Sequence, residues 1–325
     1  MTTLYDVAQQ LGISKATVSR AFSRPDAVKE ETRELIMETA RNLGYVPSRT
    51  ARSLATGRHG QIGLFVPDIA NPVHPLTVKA AQAIARRHEM TVMLADRDAE
   101  SQSDCHAVTA LGRQADGMIL FQPQMTDDEL RQIATGIPIV LVNRIVEGIP
   151  ALVSSAREAM VEVVDHLADL GHRKVAYIGV NQDTLSARER HDALVDALQS
   201  RNMDLTELPC QPPQLVGGQA AVEDVRTSSA TAVVCYNDLI ALGLVGVLDA
   251  ADRARAEAIS VVGYDDIWAV QIIQPALTTV HLPVAEITGR AMGLLMAMIG
   301  GEDVPTEPVH VPCHLVVRGS TKPRP

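Results

Sequence analysis

Lys15, Thr17, Ser19 and Arg20 fall within six consecutive residues that carry no acidic side chain. A short run of cationic and hydroxyl donors matches what the phosphates and base edges of a nucleic acid require. A second set of polar residues is spread through the rest of the chain, each following a short apolar run. Asp68 follows Ile62–Pro67, Asn143 and Arg144 follow Pro138–Val142, Asn237-Asp238 follows Ala232–Tyr236, and Asp265-Asp266 follows Ile259–Tyr264. Where apolar runs are strands of a parallel sheet, their carboxyl ends are where small ligands bind.

The elements that must position these residues are readable locally. Thr3 and Asp6 have capping-box spacing, and Leu4, Val7, Ala8 and Leu11 share one helical face that Gly12 terminates. Ser14 caps a second helix in which Val18, Ala21 and Phe22 point inward, leaving Lys15, Ala16, Thr17, Ser19 and Arg20 outward. A third helix is expected from about Glu30 to Leu43, with Leu35, Ile36, Thr39, Ala40 and Leu43 inside and Gly44 as its stop. Together they form an all-α helix-turn-helix headpiece, whose second helix enters a major groove. From Gln61 onward, apolar runs at 62–67, 90–95, 117–121 and 138–142 alternate with helical stretches, one of them from about Leu76 to His88. The pattern restarts at 175–179, 232–236 and 259–264. Two α/β sets with parallel sheets therefore follow the headpiece.

Charge divides along the same line. Residues 1–60 hold nine Lys/Arg against six Asp/Glu, and the remainder holds 20 against 33. A mildly basic end on an acidic body fits a protein whose one end meets phosphate, although ordinary surface charge gives the same asymmetry. Cys105, Cys210, Cys235 and Cys313 lack metal-ligand spacing and read as structural thiols, so neither metal nor cofactor is expected. With no signal-like start and no membrane-length apolar stretch, the expected location is cytoplasmic, off the membrane.

Along nearly its whole length the chain resembles the LacI/GalR family of transcriptional regulators. The resemblance is carried by Asp6-Val7-Ala8, Leu11-Gly12-Ile13-Ser14, Ala16-Thr17-Val18-Ser19-Arg20, Leu43-Gly44-Tyr45-Val46-Pro47 and Ala51-Arg52-Ser53-Leu54. Asn71-Pro72, Leu170-Gly171-His172-Arg173, Asn237-Asp238, Gly263-Tyr264-Asp265-Asp266, Leu277–Val280 and Arg318-Gly319-Ser320-Thr321 follow in the family's order. It implies a headpiece over 1–47, a hinge helix and linker over 48–60, and a periplasmic-binding-protein-like core over 61–325. In that core the N-lobe takes about 61–153 and 284–311, and the C-lobe about 154–283 and 312–325. It further implies base contacts by Lys15, Ala16 and Arg20 and phosphate contacts by Tyr5, Ser14, Thr17 and Ser19. The minor-groove hinge falls on Ala51 and Leu54, with Leu54 as the wedge. Effector contacts fall on Asp68, Asn71, His74, Gln122, Asn143, Arg190, Asn237 and Asp265. The implied partners are double-stranded operator DNA, a small-molecule effector with sugars favoured, and a second copy of the chain. Without a C-terminal heptad tail, a dimer is expected rather than a tetramer.

Several positions keep a competing reading. Arg190 also suits a surface ion pair, Asp265 a turn, and His74 an exposed helix start. Of Asn237 and Asp238, one faces the cleft and the other caps the helix beginning near Leu239. His166 and His172 read as helix-end residues rather than metal ligands. The chain departs from the family at Val73-His74, His281-Leu282-Pro283 and Gln211–Gln214, and at Ser48 where Asn is usual; with aromatics only 3% of the chain, the cleft is expected to stack rings poorly. A transport solute-binding protein shares the core but requires a signal peptide and no headpiece. An enzyme is disfavoured because the sequence holds no G-x-S-x-G, P-loop, HExxH or G-x-G-x-x-G after the first strand.

Overall fold

The computed structural model describes residues 2–23, 27–45, 58–97, 103–251 and 258–324. Three helices build the headpiece: α1 (Leu4–Leu11), α2 (Lys15–Ser23) and α3 (Glu30–Asn42). At the start of α1 the backbone N–H and hydroxyl of Thr3 both donate to Asp6 Oδ2, at 2.7 and 2.9 Å. Gly12 turns the chain at φ +65°, where a Cβ is strained, and Ser14 Oγ accepts from Thr17 N at 3.1 Å to open α2. Val7, Ala8, Val18, Ala21, Ile36 and Ala40 form the small core. Leu35 is not part of it. It is 53% exposed on the outer side of α3, while Ile36 beside it is fully buried.

The body contains two six-stranded sheets. The first comprises β1 (Gln61–Val66), β2 (Thr91–Asp96), β3 (Gly117–Phe121), β4 (Ile139–Val142), β5 (Ala151–Ser155) and β11 (Val309–Pro312), all parallel, in the order β11-β5-β4-β3-β1-β2. Helices α4 (Val73–Arg87), α5 (Cys105–Gly112), α6 (Asp127–Gly136) and α12 (Val284–Gly300) belong to this lobe. Alternation along the strands explains its two buried faces. Ile62, Leu64, Ile119, Val140 and Val142 enter one apolar cluster, while Phe65, Met118, Leu120, Ile139 and Leu141 enter the other. Pro75 sits within the first turn of α4, where a missing N–H is tolerated, so the helix starts at Val73 rather than Leu76.

The second sheet runs β7-β6-β8-β9-β10-β12, from β6 (Lys174–Ile178), β7 (Asp204–Glu207), β8 (Ala232–Cys235), β9 (Ser260–Asp265), β10 (Thr278–His281) and β12 (His314–Val316). It is covered by α7 (Arg157–Asp169), α8 (Leu185–Ser200), α9 (Leu215–Ala220), α10 (Val222–Thr227) and α11 (Asp238–Ala251). Edge strand β12 is antiparallel to β10, so this sheet is mixed rather than purely parallel. The chain passes between the sheets three times: from β5 into α7, from β10 into α12, and from β11 into β12. His172 is buried, with Nδ1 2.9 Å from Thr231 Oγ1 and Nε2 2.9 Å from Ser260 Oγ. That bonding ties the turn at the C-terminal end of α7, where the sequence reading places His172, to the second sheet.

Ile36 is fully buried in a core of few residues, so Ile36→Ala removes roughly 2–5 kcal/mol from the headpiece. Calorimetry of the full chain is expected to show the headpiece transition lowered or lost and the body transition unmoved.

Candidate functional site

Both sheets direct their strand carboxyl ends toward a cavity of about 120 Å³. All eight residues expected at the ligand site line it: Asp68, Asn71, His74, Gln122 and Asn143 from the first lobe, and Arg190, Asn237 and Asp265 from the second. The first sheet reverses its strand order between β1 and β3, the switch point that opens a crevice in doubly wound sheets. Gln122, Asn143 and Asp265 adopt positive φ of 46°, 54° and 113°, a costly backbone for residues with a Cβ. Their surroundings impose it. Gln122 N donates to Val142 O at 2.8 Å, and Asn143 N donates to Leu152 O at 2.8 Å.

Arg190 is 5% exposed and is therefore no surface ion-pair residue. It lies on α8, with Nη1 donating to Tyr236 O at 2.8 Å and Nη2 to Asp265 Oδ1 at 3.2 Å. The guanidinium carbon lies 3.6 Å from the Tyr264 ring centroid and 4.6 Å from that of Tyr236. Burial works against this cation, but Asp265 and the two tyrosines outweigh it and raise its pKa. For Asp265, burial dominates and pushes the carboxyl up to about 6, with Arg190 opposing.

The division between Asn237 and Asp238 differs from either expected arrangement. Asn237 lines the cavity and also caps α11, its Oδ1 accepting from Ile240 N at 2.9 Å while Nδ2 donates to Pro213 O at 2.9 Å. Asp238 faces away from the cavity. Its carboxylate accepts from Thr279 Oγ1 at 2.5 Å and from Ile267 N at 2.9 Å, fastening β10 and the segment after β9 to the start of α11. Gly263 makes room for it, since a Cβ there would lie 2.1 Å from Asp238 Oδ1. Asn143 is oriented just as firmly. Ser154 N, which can only donate, reaches its Oδ1 at 2.8 Å and leaves the amide nitrogen as the free end of the side chain.

His74 is buried rather than exposed, with its ring edge-on to Phe121 at 6.3 Å. Its Nδ1 is buried without a hydrogen-bond partner. Burial lowers its pKa to about 4, with Asp68 opposing and Arg97 assisting. Sequence reasoning missed the aromatic contribution. Phe121 and Tyr236 both line the cavity and Tyr264 underlies Arg190, so three of the chain's nine phenylalanine, tyrosine and tryptophan rings lie here. The available signal was position, because Phe121 and Tyr236 immediately precede Gln122 and Asn237.

In the headpiece, Tyr5, Ser14, Lys15, Ala16 and Arg20 are exposed, and Thr17 and Ser19 are half-buried. Lys15 Nζ rests 4.5 Å from the centre of the Tyr5 ring, and Arg20 Nε donates to Ala16 O at 3.3 Å. The Ser14 and Thr17 hydroxyls bond each other at 2.8 Å. Ala51 and Leu54 lie outside the described residues.

Residues 3–48 match the bacterial regulatory proteins of the lacI family, and residues 164–321 match the periplasmic binding protein-like domain. The HTH-type transcriptional regulator GalS of Salmonella typhimurium is 32% identical over 313 residues, covering 93% of this chain and 91% of that protein. The chain belongs to the LacI family. It is a DNA-binding transcriptional regulator with a ligand-binding core. A LacI-family regulator from Enterococcus faecium, solved with bound ribose, is 26% identical with a TM-score of 0.75, covering 81% of this chain and 99% of that one. The lac repressor dimer bound to operator and the anti-inducer ONPF shares the fold over 99% of both chains, with a TM-score of 0.84 at 24% identity.

The buried imidazole of this LacI-family chain makes stability depend on pH. Since His74 has its folded pKa near 4 and an unfolded value near 6.5, the unfolded state binds the extra proton between them. Stability from this group is therefore present above pH 6.5 and is lost as pH falls toward 4, by about 3 kcal/mol. Urea unfolding at pH 6.5 and 4.5 is expected to show a smaller acid loss in His74→Phe than in the parent protein.

Proposed function

We propose that the chain acts as a homodimeric repressor on a pseudo-palindromic operator, released or retained according to a sugar-class metabolite held between the lobes. The observation that carries this reading is convergence. Residues from Asp68 to Asp265 meet in one cavity across two sheets, while a separate headpiece presents Lys15, Ala16 and Arg20 outward. Lys15 and Arg20 donate to guanine edges, and Ala16 meets a thymine methyl. Tyr5, Ser14, Thr17 and Ser19 hold phosphates and set register. Ala51 and Leu54 enter the minor groove, where wedging costs a few kcal/mol that the bent interface offsets. Two copies are needed to read two half-sites. Exposed apolar side chains on both lobes support that pairing: Leu76 and Leu94 on the first, Trp268 and Ile272 on the second. Among the described residues no helix is long and apolar enough to cross a membrane. The cavity binds rather than transforms its ligand, in keeping with relatives that are regulators. A cytoplasmic location follows from a target that is DNA.

Helix α12 offers a route from ligand to DNA. Val284 and Ile287 in its first turns line the cavity, and at its other end Ile299 O accepts from Arg58 at 3.0 Å. The next two residues of the linker, His59 and Gly60, donate their backbone N–H groups to Asp116 at 2.6 and 2.7 Å. Lobe closure that moves α12 thus acts on the point where the linker leaves the body. A ligand shifts operator affinity only through its differential affinity for the two lobe arrangements.

Arg20→Ala is expected to relax preference at one operator base by roughly 1–3 kcal/mol, read from binding to a set of singly substituted sites. Equal weakening on every sequence would assign Arg20 to phosphate instead. Asp116→Ala is expected to leave ligand affinity unchanged while reducing the ligand's effect on operator affinity, measured by fluorescence anisotropy with and without ligand.

A further inference from the structure

The cavity's charges and hydrogen-bonding groups restrict what it can hold. Arg190, the one lysine or arginine lining it among the described residues, is already answered by Asp265 at 3.2 Å, and a further carboxylate, Asp68, lines the opposite lobe. An anionic ligand therefore enters a site whose formal charge is negative. The net charge does not oppose a cationic ligand, but the Arg190 guanidinium and the amide nitrogen of Asn143, whose oxygen is held by Ser154, are donors for which a cation has no acceptor. A hydroxyl, which both donates and accepts, is compatible with all of these groups. Phe121, Tyr236, Val142 and Ile287 line the remainder of the wall and suit the C–H surface of a compact ring. The adjoining outer cleft carries Arg144 and Arg188 against Glu129 and Asp183, so it supplies no compensating positive charge.

Among the described residues, two side chains that line the cavity keep a buried polar atom without a partner, His74 at Nδ1 and Arg190 at Nε. His74 is 7% exposed and lines the cavity from the first turn of α4. A sealed bare acceptor is tolerated better than a sealed bare donor, which favours the tautomer carrying the proton on Nε2. The positive end of α4 and the surrounding apolar wall both disfavour a second proton.

We propose that this cavity accepts an uncharged polyol and rejects its carboxylate or phosphate counterpart, with His74 donating from Nε2 to a ligand oxygen and Asp68 turning negative charge away. This rests on the reading of the cavity as the effector site. His74 and Phe121 form the floor on which one ligand oxygen is read, while the Arg190–Asp265 pair handles hydroxyls from the other lobe. The Asp68 carboxylate supplies the discrimination against negative charge.

The test uses the full-length protein and matched probes in calorimetric titrations at pH 7.5: D-ribose with ribose 5-phosphate and ribonate, and D-galactose with galactose 6-phosphate and galacturonate. At least one uncharged sugar is expected to bind, with its charged counterparts at least tenfold weaker. His74→Phe is expected to weaken that sugar about tenfold, His74→Gln to recover part of the loss by restoring an N–H donor, and Asp68→Asn to narrow the gap to the charged probes. Cooperative thermal melts of the variants show that they are folded. A charged probe binding as tightly as its neutral counterpart overturns the proposal, as does unchanged affinity in a folded His74→Phe protein. Binding by no probe overturns both the proposal and the effector reading. Binding by charged probes alone, with operator binding of the parent intact, overturns only the ligand class.

Discussion

A guanidinium removed from water must have its charge answered by the protein around it, and much of the body's architecture meets that demand at Arg190. The cation is met by a backbone carbonyl at Tyr236, a carboxylate at Asp265 and the face of Tyr264. Those partners come from the ends of β8 and β9, and Arg190 itself comes from α8, so the pair fixes three elements of the second lobe at their cavity ends. Removing one partner of a buried ion pair costs on the order of 3–5 kcal/mol, whereas the intact pair contributes little net stability. Its retention at a ligand cavity is therefore better explained by the fixed donors and acceptors it presents than by stability.

The opposite wall is positioned by different means. Asn143 and Gln122 follow adjacent parallel strands and take left-handed backbone conformations that end the strands abruptly. Apolar residues on both faces of β1, β3 and β4 hold those strand ends in place. Three passages of chain join the two lobes, and one of them runs into α12, which lines the cavity at one end and meets Arg58 at the other. Ligand contact and linker geometry are thus properties of one helix.

Much of this was legible in the sequence because local rules governed it. The capping of α1 and α2, the turn at Gly12, and the strand positions from β1 to β4 followed from residue type and period. The cavity residues came from the family resemblance, since polar residues at strand ends do not by themselves show which strands converge. What local pattern did not reveal depends on tertiary packing. β5, β7 and β11 are no shorter than β4, but they and β12 carry polar residues such as Ser154, Asp204, His310 and His314 in place of an unbroken apolar run, and β12 turns antiparallel as an edge. The burial of His74 and Arg190 depends on what packs over them, as does the selection of Ile36 over Leu35. Asp238 serves as a fastening because Gly263 leaves room, a relation between residues far apart in the chain.

The coupling of cavity to DNA is tested most directly by titrating the full-length protein onto an operator selected from random sequence, with and without a sugar shown by calorimetry to bind the core. Coupling predicts a shift of the binding midpoint by fivefold or more, and an equal reciprocal effect of operator on sugar affinity. A sugar that occupies the cavity yet leaves the midpoint unmoved would contradict the account.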